Sequence, residues 1–199
     1  MVLLPGIGDS TARWKPLGKR LRHHYDVTVA PLPGLGPAER FSVDSAAATV
    51  AATLPRSGRP VTVCGIGLGA MVALSLAAEH PEQVDRLVLL TRQVALSPVL
   101  MSLPAAVLRL LPATTVERLG AGQDQILALL DQVRPVDARD LAGRVDVPAE
   151  VLCGARDRIN RRASAALASA LPRGQLRLIP RAGADWLTPE SLAEALLND

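Results

Sequence analysis

Residues Val61-Thr62-Val63-Cys64-Gly65-Ile66-Gly67-Leu68-Gly69-Ala70 constrain this chain more than any other segment. A β-branched apolar run with no polar alternation reads as a strand buried on both faces. Three glycines follow at every second position, and then an apolar helical stretch, Met71 to Glu79. Glycines at such spacing let a strand turn sharply into a helix and let that helix lie close on the sheet. A doubly buried strand needs helices on both sides, so the segment predicts a parallel α/β sheet.

The rest of the chain agrees. Short apolar runs alternate with helical patterns, predicting strands at 1–5, 26–31, 60–64, 86–91, 149–153 and 175–179. Helices are expected at 13–23, 43–54, 69–79, 160–171 and 189–197. The fold class is therefore α/β, a doubly wound, mostly parallel sheet of about six strands in a single domain. Between 97 and 140 the alternation stops. Apolar helical stretches there are broken by Pro98, Pro104, Pro112 and Pro135, which reads as a short helical cap.

Hydrophobic residues make up 49% of the 199 and aromatics only 2%, so Ala, Leu and Val must fill the core. The net charge of +3 is small, the basic residues read as dispersed, and no basic run carries interleaved aromatics. That argues against nucleic-acid binding. No basic leader or long apolar segment is present, so a cytoplasmic protein that does not enter the membrane is expected. Cys64 and Cys153 end central strands and are expected in the core. Neither a disulfide nor a metal site is expected, and nothing calls for a cofactor.

Several segments, in order, resemble the α/β-hydrolase superfamily. Leu3-Leu4-Pro5-Gly6-Ile7-Gly8-Asp9-Ser10 with Trp14 is similar to the family's oxyanion loop. Pro31-Leu32-Pro33-Gly34-Leu35-Gly36 is similar to the loop after the next strand. Gly65-Ile66-Gly67-Leu68-Gly69 is similar to the Gly-x-Ser-x-Gly nucleophile elbow. His80 to Leu89 resembles the segment after the elbow helix, Val151 to Asp157 the strand carrying the acid, and Ile179 to Trp186 the histidine loop, with Pro189-Glu190 opening the last helix. The resemblance covers nearly the whole chain and starts at the family's third strand, so the family's first hairpin is expected to be absent.

It also implies a degenerate triad. Gly67 stands at the nucleophile position and Asp157 at the acid position. The histidine position falls on Ala184, with Asp185 next to it and either alignment open. The only histidines are His23, His24 and His80. A serine hydrolase needs a base within hydrogen-bond reach of its nucleophile, so acyl-enzyme hydrolysis is not expected. Gly65-x-Gly67-x-x-Ala70 also fits a dinucleotide-binding fingerprint, but a complete strand-helix-strand-helix precedes it. The next strand ends in Thr91-Arg92, with no acid to hold a ribose.

The resemblance leaves useful chemistry. Backbone N–H groups of Ile7 and Leu68 form the implied oxyanion hole, and such donors stabilise an enolate as well as a tetrahedral intermediate. Asp157, Asp9 and Asp185 are the candidate acids or bases. Each has a plainer reading: Asp157 caps a turn, Asp9 starts a helix, Asp185 is solvated. Arg13, Arg92 and Arg156 hold an acidic substrate group or pair with these acids. Trp14, Trp186 and Met101 line a substrate site or pack in the interior, and Leu103 is expected as apolar cap lining. Without a partner histidine, Asp157→Asn is expected to change stability little. The function expected is a cyclase, isomerase, epimerase or lyase acting on a hydrophobic carbonyl-containing biosynthetic intermediate. The alternative is a pseudoenzyme that binds a small ligand or a partner protein.

Overall fold

The computed structural model describes residues 1–6, 9–32, 41–54, 59–90 and 137–198. Six strands run β1 (Val2–Leu4), β2 (Thr28–Val29), β3 (Val61–Ile66), β4 (Val84–Leu90), β5 (Ala149–Gly154) and β6 (Gly174–Ile179). Among the described residues six α-helices accompany them: α1 (Thr11–Leu21), α2 (Val43–Thr53), α3 (Leu68–Glu79), α4 (Ala138–Gly143), α5 (Arg161–Ala170) and α6 (Pro189–Leu197). The strands form one sheet in the order β2-β1-β3-β4-β5-β6, and every pairing is parallel.

Alternation along the strands divides the core in two. Val63, Leu87, Leu89 and Val151 face one way, into a cluster closed by α2, α3, α4 and α5. Cys64, Ile66, Val88, Leu90 and Leu152 face the other, against Trp14, Leu17 and Leu21 of α1 and Leu192 and Leu196 of α6. α3 is buried nearly all round because it lies between the sheet and the outer helices. That explains its lack of an apolar stripe.

Helix starts follow side-chain caps. Ser10 accepts from Arg13 N, Ser42 from Ser45 N, and Thr188 with Ser191 closes a capping box. α1 therefore begins at Thr11, two residues before expectation, and ends at Leu21, leaving His23 and His24 beyond it. The short α4 was not expected. Asp137 caps it, and Leu141 and Ala142 bury in the main core. Residues 137–143 thus cover the sheet, and the rest of the expected cap lies outside the described residues.

The β3–α3 junction sets the geometry of the sheet's carboxyl edge. Gly67 has φ 56° and ψ −113°, a conformation that carries strain for any side chain. Two residues on, a Cβ at Gly69 would fall 2.1 Å from the carbonyl oxygen of Leu4 on β1. Gly69→Ala is expected to destabilise the protein by roughly 2 kcal/mol or more, since backbone must move to make room. Gly143→Ala, where nothing lies within 4 Å, is the comparison in a urea titration. Equal midpoints for the two variants would refute the close approach.

Burial alone pushes the Cys64 thiol from its ordinary 9.0 up to about 12. Unfolding releases a thiol that ionises sooner, so the contribution is complete below about pH 9 and is lost as pH climbs towards 12. Stability is expected to fall over that window less steeply in Cys64→Ala. Neither native cysteine should react with a disulfide reagent near neutral pH, as both are buried. Rapid labelling of the folded protein would contradict this.

Candidate functional site

All strands end at one edge, where open α/β sheets receive ligands. Four segments converge there: the loop after β1, the glycine turn after β3, the turn after β5 and the loop after β6. A Cβ on Gly6 would lie 3.3 Å from the carbonyl oxygen of Ile66 and 3.4 Å from Asp9 Oδ2. The loop after β1 therefore lies directly against the end of β3. Leu68 opens α3, and its backbone N–H belongs to the first turn that a helix cannot satisfy internally. Ile7, the other expected donor, lies outside the described residues, as do Arg92, Met101 and Leu103.

Asp157 sits in the turn after β5 with only 3% of its surface exposed. Its Oδ1 accepts from the backbone N–H groups of Ile159 and Asn160, at 3.1 and 2.9 Å. Its Oδ2 accepts from Asn160 Nδ2 at 2.5 Å. A carboxylate has about four acceptor positions, so one remains. Beside it lies a cavity of about 10 Å³ lined by Leu90, Leu152, Cys153, Asn160, Ala184 and Trp186, with Leu187. That is close to the least volume that holds a water molecule. Burial raises the Cys153 thiol above its ordinary range, and the Asp157 charge adds to this. A Ser164 hydrogen bond and Arg161 oppose it.

The plain reading of Asp157 as a turn cap and the functional one as a site acid thus meet in the same carboxylate. It caps the turn with three bonds and still faces the cavity. The amide of Asn160 and the two backbone donors enclose it on the remaining sides. Of the two alignments left open in the last loop, Ala184 lines the cavity with Asp157, and Asp185 is exposed and does not line it.

Asp9 is held elsewhere. Arg13 Nη1 donates to Asp9 Oδ1 at 2.5 Å, and Arg13 Nη2 donates to the carbonyl of Leu187 at 3.2 Å. The guanidinium also lies 5.2 Å over the Trp14 ring. Arg13 therefore ties the loop after β1 to the loop after β6. Trp14 is fully buried in the α1/α6 core, and among the described residues its indole N–H has no hydrogen-bond partner. Its placement is that of a packing residue. Trp186 is half-buried and lines the cavity, and its carbonyl accepts a short bond from Ser191 Oγ, which fixes the loop to α6.

The histidines are remote from this edge. His23 accepts from Arg22 Nε beyond α1, and His80 closes α3 at the end opposite Gly67. Twelve residues of helix put roughly 18 Å between Gly67 and His80. Sequence reasoning did not single out Asn160, the side chain that holds Asp157. The signal was its place three residues after an aspartate at a helix start. Of the arginines around that turn it singled out only Arg156. Among the described residues no group of His, Cys, Asp and Glu is placed to hold a metal ion, and no helix is long and apolar enough to cross a membrane.

Comparison with known proteins places this geometry. A pimeloyl-[acyl-carrier protein] methyl ester esterase of Pseudoalteromonas atlantica (strain T6c / ATCC BAA-1087) is 33% identical over 94 residues, 45% of this chain and 35% of that protein. The match thus spans about a third of the relative's own length. A bacterial membrane phospholipase A described as a virulence factor superposes with a TM-score of 0.73 at 22% identity, covering 99% of this chain and 76% of that one. The enol-lactonase from Burkholderia xenovorans LB400 gives 0.72 at 17% identity, covering 99% and 89%. MenH from S. aureus gives 0.72 at 17%, covering 99% and 91%. At such identities the likeness to these structures is one of fold. The model of the alpha/beta hydrolase family matches residues 1–195, and the chain belongs to that family.

Proposed function

We propose that this chain is a family member with a degenerate triad that has left hydrolysis. It would act as a cyclase, isomerase, epimerase or lyase on a hydrophobic carbonyl-containing biosynthetic intermediate. The observation that carries the reading is Gly67 at the apex of the β3–α3 turn. The turn keeps the geometry that presents a nucleophile and has no side chain to present. The sequence has no histidine after His80 to serve as base near Asp157 or Ala184.

In this reading the backbone donors at the start of α3 and in the loop after β1 polarise a carbonyl, and charge develops on its oxygen as an enolate. The remaining acceptor position of Asp157 takes or returns the proton at the adjacent carbon. Asn160 positions the carboxylate. No covalent acyl intermediate forms and no water is consumed. The hydrophobic character of the substrate rests on the apolar cavity lining and on the apolar sequence of the expected cap.

A second reading is favoured by a specific observation. Three of the four acceptor positions of Asp157 are committed, and the neighbouring cavity holds about one water. A site so closed suits a protein that binds a ligand or partner and turns nothing over. The match to an acyl-carrier-protein methyl ester esterase raises ester hydrolysis as a further possibility, one that would need a nucleophile other than residue 67.

Product mass separates these readings. Incubated with p-nitrophenyl acetate and butyrate, the protein should release p-nitrophenol no faster than a protein-free control. With a panel of hydrophobic 3-keto thioesters, an isomerase or cyclase yields products of unchanged or dehydrated mass. Release of the free acid, abolished by mutating one residue, would overturn the proposal. No conversion of any substrate would favour the binding reading.

Asp157→Asn carries two expectations. Any isobaric or dehydrating conversion should fall by roughly 10². The variant should also lose about 2 kcal/mol of stability, because an amide nitrogen then meets the Asn160 donor inside a buried turn. This replaces the expectation of unchanged stability, which did not reckon with Asn160. A thermal melt superimposable on the parent would show that the turn does not depend on the charge.

A further inference from the structure

The turn that presents Asp157 has two sides. Asp157 and Asn160 face inward to the cavity, while Arg156, Arg158, Ile159, Arg161 and Arg162 are exposed. Arg156 N donates to the carbonyl of Ala182 at 2.9 Å, which brings the loop after β6 alongside. Next to Ala182, Arg181 is exposed and holds φ 61°, the only positive φ of a non-glycine residue among the described residues. A side chain kept in that conformation is held there by its surroundings at a cost.

The turn after β5, the first turn of α5 and the loop after β6 carry five arginines against Asp157 and Asp185. The formal charges of the rest of the chain sum to zero. The cationic residues thus flank the turn that carries Asp157. Among the described residues none of the five arginines has a carboxylate partner; Arg13, Arg20, Arg86, Arg144 and Arg177 each do, while Arg22, Arg59, Arg139 and Arg173 also lack one but stand singly in other segments of the chain. Arg161 reaches only the Ala155 carbonyl, at 3.4 Å. Ile159, 67% exposed, is the most exposed large apolar side chain described, and it sits among them.

We infer that this rim is the docking surface for an acidic partner protein, which meets the chain over the mouth of the site. The arginines are exposed and spread over the turn after β5, the first turn of α5 and the loop after β6, a surface rather than an enclosed pocket. They match an extended acidic surface, with Ile159 as a central apolar contact inside a charged border, the arrangement found in protein–protein interfaces. Nucleic acid fits less well, because among the described residues the rim's one aromatic ring, Trp186, is half-buried against the cavity, and bases would need a row of exposed rings on which to stack. A membrane fits less well too, since one isoleucine is a weak apolar anchor. The surface is independent of whether the site turns over a substrate.

Binding is read without any reaction, by fluorescence anisotropy of a labelled helical peptide with glutamates on one face and leucines on the other. The protein should bind it at about 50 mM salt and weaken at least tenfold at about 200 mM. Arg158→Glu/Arg162→Glu should weaken binding tenfold or more, and Arg158→Ala/Arg162→Ala at least threefold, with unchanged melting curves, since both side chains are exposed. Lys15→Glu/Lys19→Glu, on the exposed side of α1, makes the same change in net charge and should alter binding less than twofold. Three results would each overturn the inference. They are absence of peptide binding, equal loss in the two charge-reversal pairs, and tighter binding to phosphatidylglycerol vesicles or a single-stranded oligonucleotide than to the peptide.

Discussion

The sheet's carboxyl edge depends on the distance between the first turn of α3 and strand β1. Position 69 has no room for a Cβ against the Leu4 carbonyl, and position 67 turns through a backbone conformation that suits glycine. Together they set α3 down on the sheet and bring the loop after β1 against the end of β3. A longer distance would separate Gly6 from Ile66 and open the edge. The same constraint explains why glycine at the apex is tolerated structurally whatever it does chemically. The turn was always strained for a side chain, so removing one relieves the backbone.

The other end of the site rests on a carboxylate doing the work of a cap. Asp157 closes the turn ahead of α5 through two backbone N–H groups and the Asn160 amide. A buried charge without such partners would be costly, so these bonds let the acid persist with no histidine beside it. Ala184 stands across the small cavity. The residue thus has a structural reason to remain independent of catalysis. Its presence alone is weak evidence for activity, and its one uncommitted acceptor position is the stronger part of the case.

The strands and five of the helices were legible because each carries a local signal that tertiary packing reinforces. Parallel strands buried on both faces read as unbroken apolar runs, and Ser10, Ser42 and Thr188 mark helix starts. α4 was not legible: six residues make too short a period to register, and its reason for forming is burial of Leu141 and Ala142. At the site, sequence order brought Gly67, Asp157 and Ala184 to one edge, because in a parallel sheet every strand ends there. The pairing of Arg13 with Asp9, four residues apart, was within its reach. That Arg13 also takes the Leu187 carbonyl, 174 residues on, follows from the way α1 leans on α6. No spacing in the chain encodes that second contact.

Charge shows the same limit in a sharper form. A net charge of +3 spread over 199 residues looks like nothing in particular. The four arginines between 156 and 162 are interspersed with Asp157 and Asn160, which bury, so along the chain they read as one more mixed segment. Folding separates them by side. The buried members close the turn around the cavity, and the arginines are left together outside with Arg181 brought in from the next loop. Some arginines meet carboxylates: Arg86 and Arg177 share Glu150, and Arg144 takes Glu79. Among the described residues five that have no carboxylate partner gather beside the Asp157 turn, which makes the electrostatic surface uneven. These arginines share a turn with Asp157 and Asn160, so a partner bound at the rim would lie next to the residues that hold this carboxylate.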